Sequence, residues 1–404
     1  MADQATPATP LVGFGIGCYS FEAPDANHVL FHNPGGTYTI HDWAKDVRSA
    51  LRSIPSLDEI VVEGFRAVRG DGAPTWRNRV EQVLREAPHG SMHRGGDLRP
   101  HPASGRISFV VTIPLHTQRE LGRAFAPMEG TRFEVDIRYG RGMPVAFVRA
   151  PHETVVPSHA VAIVREFLRQ EFEQRLSGNA IRFVCMGPSP MWNDCFVTLE
   201  PPTASARVDV EVRDTRGYQK ITFKAREDEQ VGSLDDAYDL VKELTRDDLN
   251  LYYEIVSRRN ILRLQRDLIE SQLQDLVERN RRTGVRGLFG RLFGGGRAAN
   301  DLMLEILAAA TEGQRLFAGV RRDWESIRNR SEIDAFKKAF AREFEADDQT
   351  YEANAREVVA LLNERYSRDV QVISLIVASL VGGVAGAAIT VLTQVVAIAG
   401  LGGS

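Results

Sequence analysis

Cysteine is scarce. The chain of 404 residues has three, Cys18, Cys185 and Cys195; no two of them form a CxxC pair, and three cannot all pair with one another. That excludes a disulfide-stapled fold and points to a reducing compartment. The opening MADQATPATP has no basic stretch followed by an apolar run, so no secretory leader is visible and the soluble part is expected in the cytoplasm. An excess of one charge is missing too. The formal net charge of -4 gives no whole-chain argument for nucleic acid or for an acidic partner, and confines electrostatic arguments to local stretches. No Ser-His-Asp or paired-carboxylate arrangement has a local signature, although such constellations assemble in space rather than along the chain.

The longest absence is at the end. From Val370 to Ser404 there is no charged residue. Gln371 and Gln394 bracket an apolar run that, at about 1.5 Å per residue, would extend roughly 33 Å as a helix, close to the hydrocarbon thickness of a bilayer. The expectation is a single C-terminal transmembrane helix over 370–400. Arg365 and Arg368 precede it and nothing charged follows, which predicts a tail-anchored protein with its large part cytoplasmic and its C-terminus translocated. Ser374, Ala378, Gly382, Gly386 and Thr390 recur every four residues; this small-residue stripe predicts helix packing and a homo-oligomer. Gln371, Thr393 and Gln394 are then candidates to line a polar path.

What is there fills the rest of the chain. A hydrophobic content of 43% is ordinary for folded protein. Residues 1–10 read as a disordered tail. Runs at 106–113, 132–139, 145–150, 180–186, 195–200, 207–213 and 218–225 alternate with strand period and are rich in β-branched residues. GRGMP and DTRG separate neighbouring runs as hairpin turns. Helices are expected at 42–54, 75–87 and 158–176. Adjacent hairpins favour an α+β domain over 11–228 rather than a regular parallel sheet.

From Ser233 about fifty residues lack Gly and Pro. Ser233 is an N-cap candidate with acids in the following turn, and Leu234, Ala237, Val241, Leu244, Leu251, Ile255, Leu262, Ile269 and Leu276 keep a three-four spacing interrupted by Asp248, Arg258 and Gln265. The expectation over 233–369 is a long helical hairpin or coiled-coil-like stalk. Its tip would be RNRRTGVRGLFGRLFGGGR, 279–297, with six arginines and no acid. That stretch is a glycine turn, or a tip in which Arg286, Leu288, Phe289, Arg291, Leu292 and Phe293 meet anionic lipid. Nucleic acid is the least favoured occupant.

Site chemistry is sparse. Gly13-Phe-Gly-Ile-Gly17 lacks the rest of a phosphate-loop fingerprint, and His89, His93 and His101 sit in a Gly- and Pro-rich stretch that does not hold them on one helix face. No cofactor and no metal are expected. MGPSPMWNDCF is the most unusual stretch, and Trp192, Asn193 and Asp194 are the candidate ligand-binding residues, for an unidentified small-molecule or protein ligand. The order of parts, a mixed domain, a very long helix and a membrane segment, resembles that of the CorA-type divalent cation channels. The Gly-Met-Asn tripeptide of that family's pore entrance is absent here and one span stands where it has two. The order also resembles membrane effectors of bacterial antiviral systems. Neither resemblance assigns a residue.

The function expected is that of a non-enzymatic, self-associating membrane protein: a cytoplasmic domain senses a ligand or partner and acts through long helices on a channel, pore or membrane-disrupting segment. A membrane-tethered enzyme and a membrane-anchored scaffold are the alternatives.

Overall fold

The structure, a computed structural model, describes residues 11–22, 39–66, 104–121, 128–141, 143–149, 156–175, 181–185, 193–204, 206–215, 218–281, 301–308, 311, 318, 321–326, 335–337, 339–341, 354–361, 364, 367–368 and 371. The chain divides into two compact units, Met1–Leu264 with Arg315–Asp347, and Gln265–Gln314 with Asp348–Ser404.

The first unit is built on an eight-stranded mixed sheet. Its strands are β1 (Leu11–Gly17), β3 (Leu57–Arg66), β4 (Ser104–Thr112), β5 (Arg132–Gly140), β6 (Met143–Arg149), β8 (Asn193–Glu200), β9 (Val208–Thr215) and β10 (Tyr218–Arg226), in the order β3-β4-β5-β6-β1-β8-β10-β9. Every neighbouring pair is antiparallel except β8 with β10. A small second sheet pairs β2 (Tyr19–Glu22) with β7 (Arg182–Cys185).

Period-two alternation sends each strand's apolar residues to two faces. On one, Ile107, Phe109, Val111, Phe133, Val135 and Ile137 pack with α1 (Ile40–Arg52) and α3 (Ser158–Gln174); a short α2 (Leu115–Leu121) precedes β5. On the other, Phe14, Val145, Phe147, Ile221 and Phe223 pack with the first half of α4 (Leu234–Arg281). Phe14 is the hub there, 5.1 Å from the ring of Tyr238 and 6.1 Å from that of Phe223. A fully buried aromatic of this kind contributes about 1.5–3 kcal/mol by burial.

The glycines of β1 follow from this packing. A Cβ on Gly17 would lie 2.7 Å from Val161 Cγ1, and one on Gly15 would meet Val161 Cγ2 closer still. Gly13-Phe-Gly-Ile-Gly17 is thus a strand on which α3 lies close, not the entry to a phosphate loop.

The expected hairpin and membrane helix are corrected. Ser233 does cap α4, its Oγ accepting from the Asp236 amide at 3.2 Å, and the helix runs 48 residues. Its apolar positions, however, are used on the sheet. Residues 248–255 are buried without interruption, and Phe336, Phe340 and Trp324 join the same core cluster as the helix and the strands. Phe340 stacks on Trp324 at 3.9 Å and meets Tyr252 edge-on at 5.6 Å. A helix buried all round is a core element rather than a stalk arm, and among the described residues no long hairpin is evident. Among the described residues no helix is long and apolar enough to cross a membrane. The candidate packing residues Ser374, Ala378, Gly382, Gly386 and Thr390, the candidates Thr393 and Gln394, and the tip residues Arg286 to Phe293 lie outside the described residues, as do the helix expected at 75–87 and His89, His93 and His101. Gln371 is exposed.

The second unit has its own small core of Ile269, Leu276, Leu302, Ile306, Ala355 and Val359.

Candidate functional site

On the α4 side of β5 the alternation RFEVDIRYG places Asp136 and Arg138, and their cross-strand neighbours on β4 are Ser108 and Arg106. A polar row of this kind reads as a solvent face. Here α4 covers it, leaving Asp136 6% and Arg138 7% exposed. The Asp136 carboxylate accepts from Arg106 Nε at 2.9 Å and Nη2 at 3.2 Å, from Arg138 Nε at 3.1 Å and Nη2 at 3.0 Å, and from Lys242 Nζ at 2.9 Å. Burial alone would raise its pKa. The positive charges of Lys242 and Arg138 and the hydrogen bonds from Arg106 and Lys242 outweigh burial and hold it below the ordinary 3.8. Asp136 is therefore an anionic pin that fixes three cations from two strands and a helix.

Beyond this pin the sheet face emerges from under α4 and a cleft of about 760 Å³ opens. Its walls are the ends of β3, β4 and β5 with the turn that follows, the α4 residues Glu243, Arg246 and Asp247, and Asp323 and Ser326 of the helical residues 321–326. Four arginines (106, 138, 141 and 246) and four acids (Glu63, Glu243, Asp247 and Asp323) line it. Arg138 bonds Glu243, and Arg246 reaches Glu243 Oε2 at 2.9 Å and Asp247 Oδ1 at 3.0 Å. Arg141 bonds Asp323 and reaches Glu254 Oε2 at 3.1 Å. Arg106, Arg141 and Arg246 each keep one terminal nitrogen, Nη1, Nη1 and Nη2, without a hydrogen-bond partner among the described residues. Those three side chains are 43%, 35% and 36% exposed.

The backbone here is unusual as well. Of the four positive-φ residues described, three line the cleft: Gly64 (φ 70), Gly105 (φ 151) and Arg141 (φ 54). For Arg141 this region is unfavourable, and it is kept because the two-residue connection between Gly140 and Met143 demands it. Asn250 of α4 holds the turn in place. Its side-chain amide donates to Met143 O at 2.8 Å and Arg138 O at 3.3 Å, and its Oδ1 sits where a Cβ on Gly140 would be. The β3–β4 pairing also shifts register between Glu63 and Arg66. Strain and bulges concentrate where a fold presents a site.

Of the sequence-derived ligand candidates, Trp192 lies outside the described residues, while Asn193 and Asp194 open β8. Asp194 has a structural partner: its Oδ1 accepts the Ser158 amide at 3.0 Å, the first free N–H of α3, whose N-cap Pro157 provides no side-chain cap. Burial lowers the pKa of neighbouring His159 and the charge of Asp194 opposes it. Asn193 is 3% exposed and its Oδ1 has no hydrogen-bond partner among the described residues. Neither residue lines the cleft. The cleft residues themselves escaped sequence reasoning. The usable signals were the acid-base alternation of β5 and a non-glycine residue in the GRGMP turn.

Among the described residues no group of three metal-ligating side chains comes together. No protein-family model matches the chain, and no curated protein or solved structure matches it significantly.

Proposed function

We propose that the chain is a ligand-responsive, membrane-associated protein whose sensing site is the cleft between the strand ends and α4. The observation that carries this reading is that three partly exposed arginines, each with a nitrogen unpaired among the described residues, line one 760 Å³ opening beside positive-φ backbone. Small-molecule pockets span about 300–1,000 Å³. Because acids and bases are balanced in the lining, the ligand class that fits carries an anionic group together with N–H donors: the anion for Arg106, Arg141 and Arg246, the donors for Glu63 and Asp247. Partly exposed ion pairs of this sort are each worth about 0–1 kcal/mol, so a ligand can replace them at little cost.

The same helix that walls the cleft continues beyond it: α4 counts with the first compact unit up to Leu264 and with the second from Gln265. In the proposed mechanism a ligand that pulls Arg246 and Asp247 toward the strand ends shifts α4, and that shift is the signal. The uncharged run 370–404 supports contact with a lipid bilayer, and the arginines of 279–297 support a preference for anionic lipid. Self-association of the chain belongs to this proposal.

The binding half is tested by thermal shift with amino acids, dipeptides and mononucleotides as probes. A stabilising probe should lose most of its effect on Arg141→Ala and Arg246→Ala. Equal stabilisation of wild type and both variants would move the site elsewhere. The membrane half is tested by flotation with anionic and neutral vesicles. The full chain should float, best with anionic lipid, and a chain ending at residue 369 should not; flotation of both alike would remove the role of the uncharged run.

A further inference from the structure

Two side chains of the cleft oppose each other without bonding. Glu63, Arg106 and Arg138 form one row across β3, β4 and β5, Glu63 opposite Arg106 and Arg106 opposite Arg138. Opposite charges that face each other across a strand pair attract. Here Asp136 takes Arg106 Nε and Nη2 instead, and Arg138 gives Nε and Nη2 to Asp136 and Nη1 to Glu243. Glu63 is exposed, and among the described residues neither a hydrogen bond nor an ion pair reaches its carboxylate.

The row thus offers the cleft a carboxylate with both oxygens open beside a guanidinium whose Nη1 is open. The neighbouring wall is bare backbone. At Gly64 a Cβ would meet nothing closer than Gly105 Cα at 4.0 Å, and both glycines line the cleft. A planar ring can lie against this strip with its edge toward Glu63 and Arg106.

Resting on the reading of this cleft as the sensing site, we infer that its ligand is a guanine nucleotide. The Watson–Crick edge of guanine carries a carbonyl oxygen, O6, beside two donors, N1–H and the N2 amino group. O6 accepts from Arg106 Nη1, and the two donors meet the two oxygens of Glu63. Bases are read by edge hydrogen bonds of this kind, with arginine on guanine O6 and carboxylates on amino groups. Adenine reverses the pattern: its amino group would meet the Arg106 N–H and its ring lone pair the carboxylate. Uracil offers one donor to Glu63 and sets a second carbonyl against it. Free arginine pairs with Glu63 but brings a like charge to Arg106. The phosphate of the nucleotide goes to Arg141 and Arg246, which line the same opening with Nη1 and Nη2 open; hydrogen bonds between guanidinium and phosphate are charge-assisted.

The full-length chain is titrated calorimetrically with guanosine monophosphate, inosine monophosphate, adenosine monophosphate, guanosine and L-arginine. Inosine monophosphate differs from the guanine nucleotide only in lacking the N2 amino group, and should bind about 10–100-fold more weakly, the range for one hydrogen bond to a charged group. Adenosine monophosphate should bind more weakly still. Arg141→Ala and Arg246→Ala should each bring guanosine monophosphate toward the affinity of guanosine. Glu63→Gln sets an amide N–H against the N2 amino group and should abolish the preference for guanosine over inosine monophosphate, a ratio that a general weakening of the site leaves unchanged. The inference is overturned by equal binding of these two nucleotides to wild type, or by a ratio that survives Glu63→Gln. It is also overturned if L-arginine, or another probe of the thermal-shift panel, binds through Arg141 and Arg246 while guanosine monophosphate does not; the cleft then remains the sensing site with another ligand. If binding of every probe is indifferent to Arg141→Ala and Arg246→Ala, the reading of the cleft falls with it.

Discussion

Asp136 holds three cations in place from the interior of the sheet's polar face. Replacing it by asparagine keeps the shape and removes the charge, leaving Arg138 and Lys242 buried without their common partner. A loss of about 3–5 kcal/mol at neutral pH is expected, the range for breaking one side of a buried pair. The pH dependence has a definite sign. Asp136 has its pKa lowered on folding, so its contribution is complete above the unfolded value, about 3.9, and disappears as pH falls through the lower folded value. The gap between wild type and Asp136→Asn in denaturant titrations should therefore be constant at neutral pH and close below about pH 3.9. Gly17→Ala is a second test at this scale. Val161 is β-branched and stiff, and a Cβ 2.7 Å from its Cγ1 forces α3 off β1, with an expected cost of about 1–3 kcal/mol. A Gly17→Ala variant as stable as wild type would contradict the packing described for β1.

At the level of elements, most strands were legible because their apolar residues alternate and their turns carry Gly or Asp. β4 to β6 and β7 to β10 fall where the alternation puts them, and α1 and α3 begin within about two residues of the expected starts, the usual scatter of helix boundaries. β3 was not legible. LDEIVVEGFR has two bulges, and each slips the alternation by which a strand is recognised. The role of α4 was misread for another reason. A three-four repeat states that one stripe is buried, not what buries it, and here the buried surface extends round the helix at 248–255. Leu251→Ala distinguishes the two arrangements. In a central helix it opens a cavity and costs about 2–5 kcal/mol, and in a peripheral stalk arm the sheet would unfold at nearly the wild-type denaturant concentration. The Trp192-Asn193-Asp194 stretch is legible as unusual, but the carboxylate of Asp194 is engaged at the α3 N-terminus. Asp194→Ala should cost about 0.5–2 kcal/mol of stability, as loss of a helix cap does, and leave probe binding at the cleft unchanged.

For the molecule as a whole, the cleft was invisible to sequence reasoning because its residues come from positions as far apart as Glu63 and Ser326 and meet only through the sheet order and the path of α4. Its signs are nonetheless physical: balanced charge, guanidinium nitrogens unpaired among the described residues and left-handed backbone at three places. The coupling proposed through α4 makes the cleft the start of the response and the uncharged C-terminal run its place of action. The measurement closest to that claim is hydrogen exchange of the full chain with and without the most stabilising probe of the thermal-shift panel. The account predicts slower exchange at 63–64, 104–106, 138–141, 243–247 and 323–326, with an accompanying change along α4 beyond Leu264. Protection confined to 158–159 and 193–194, or no change in α4, would contradict it.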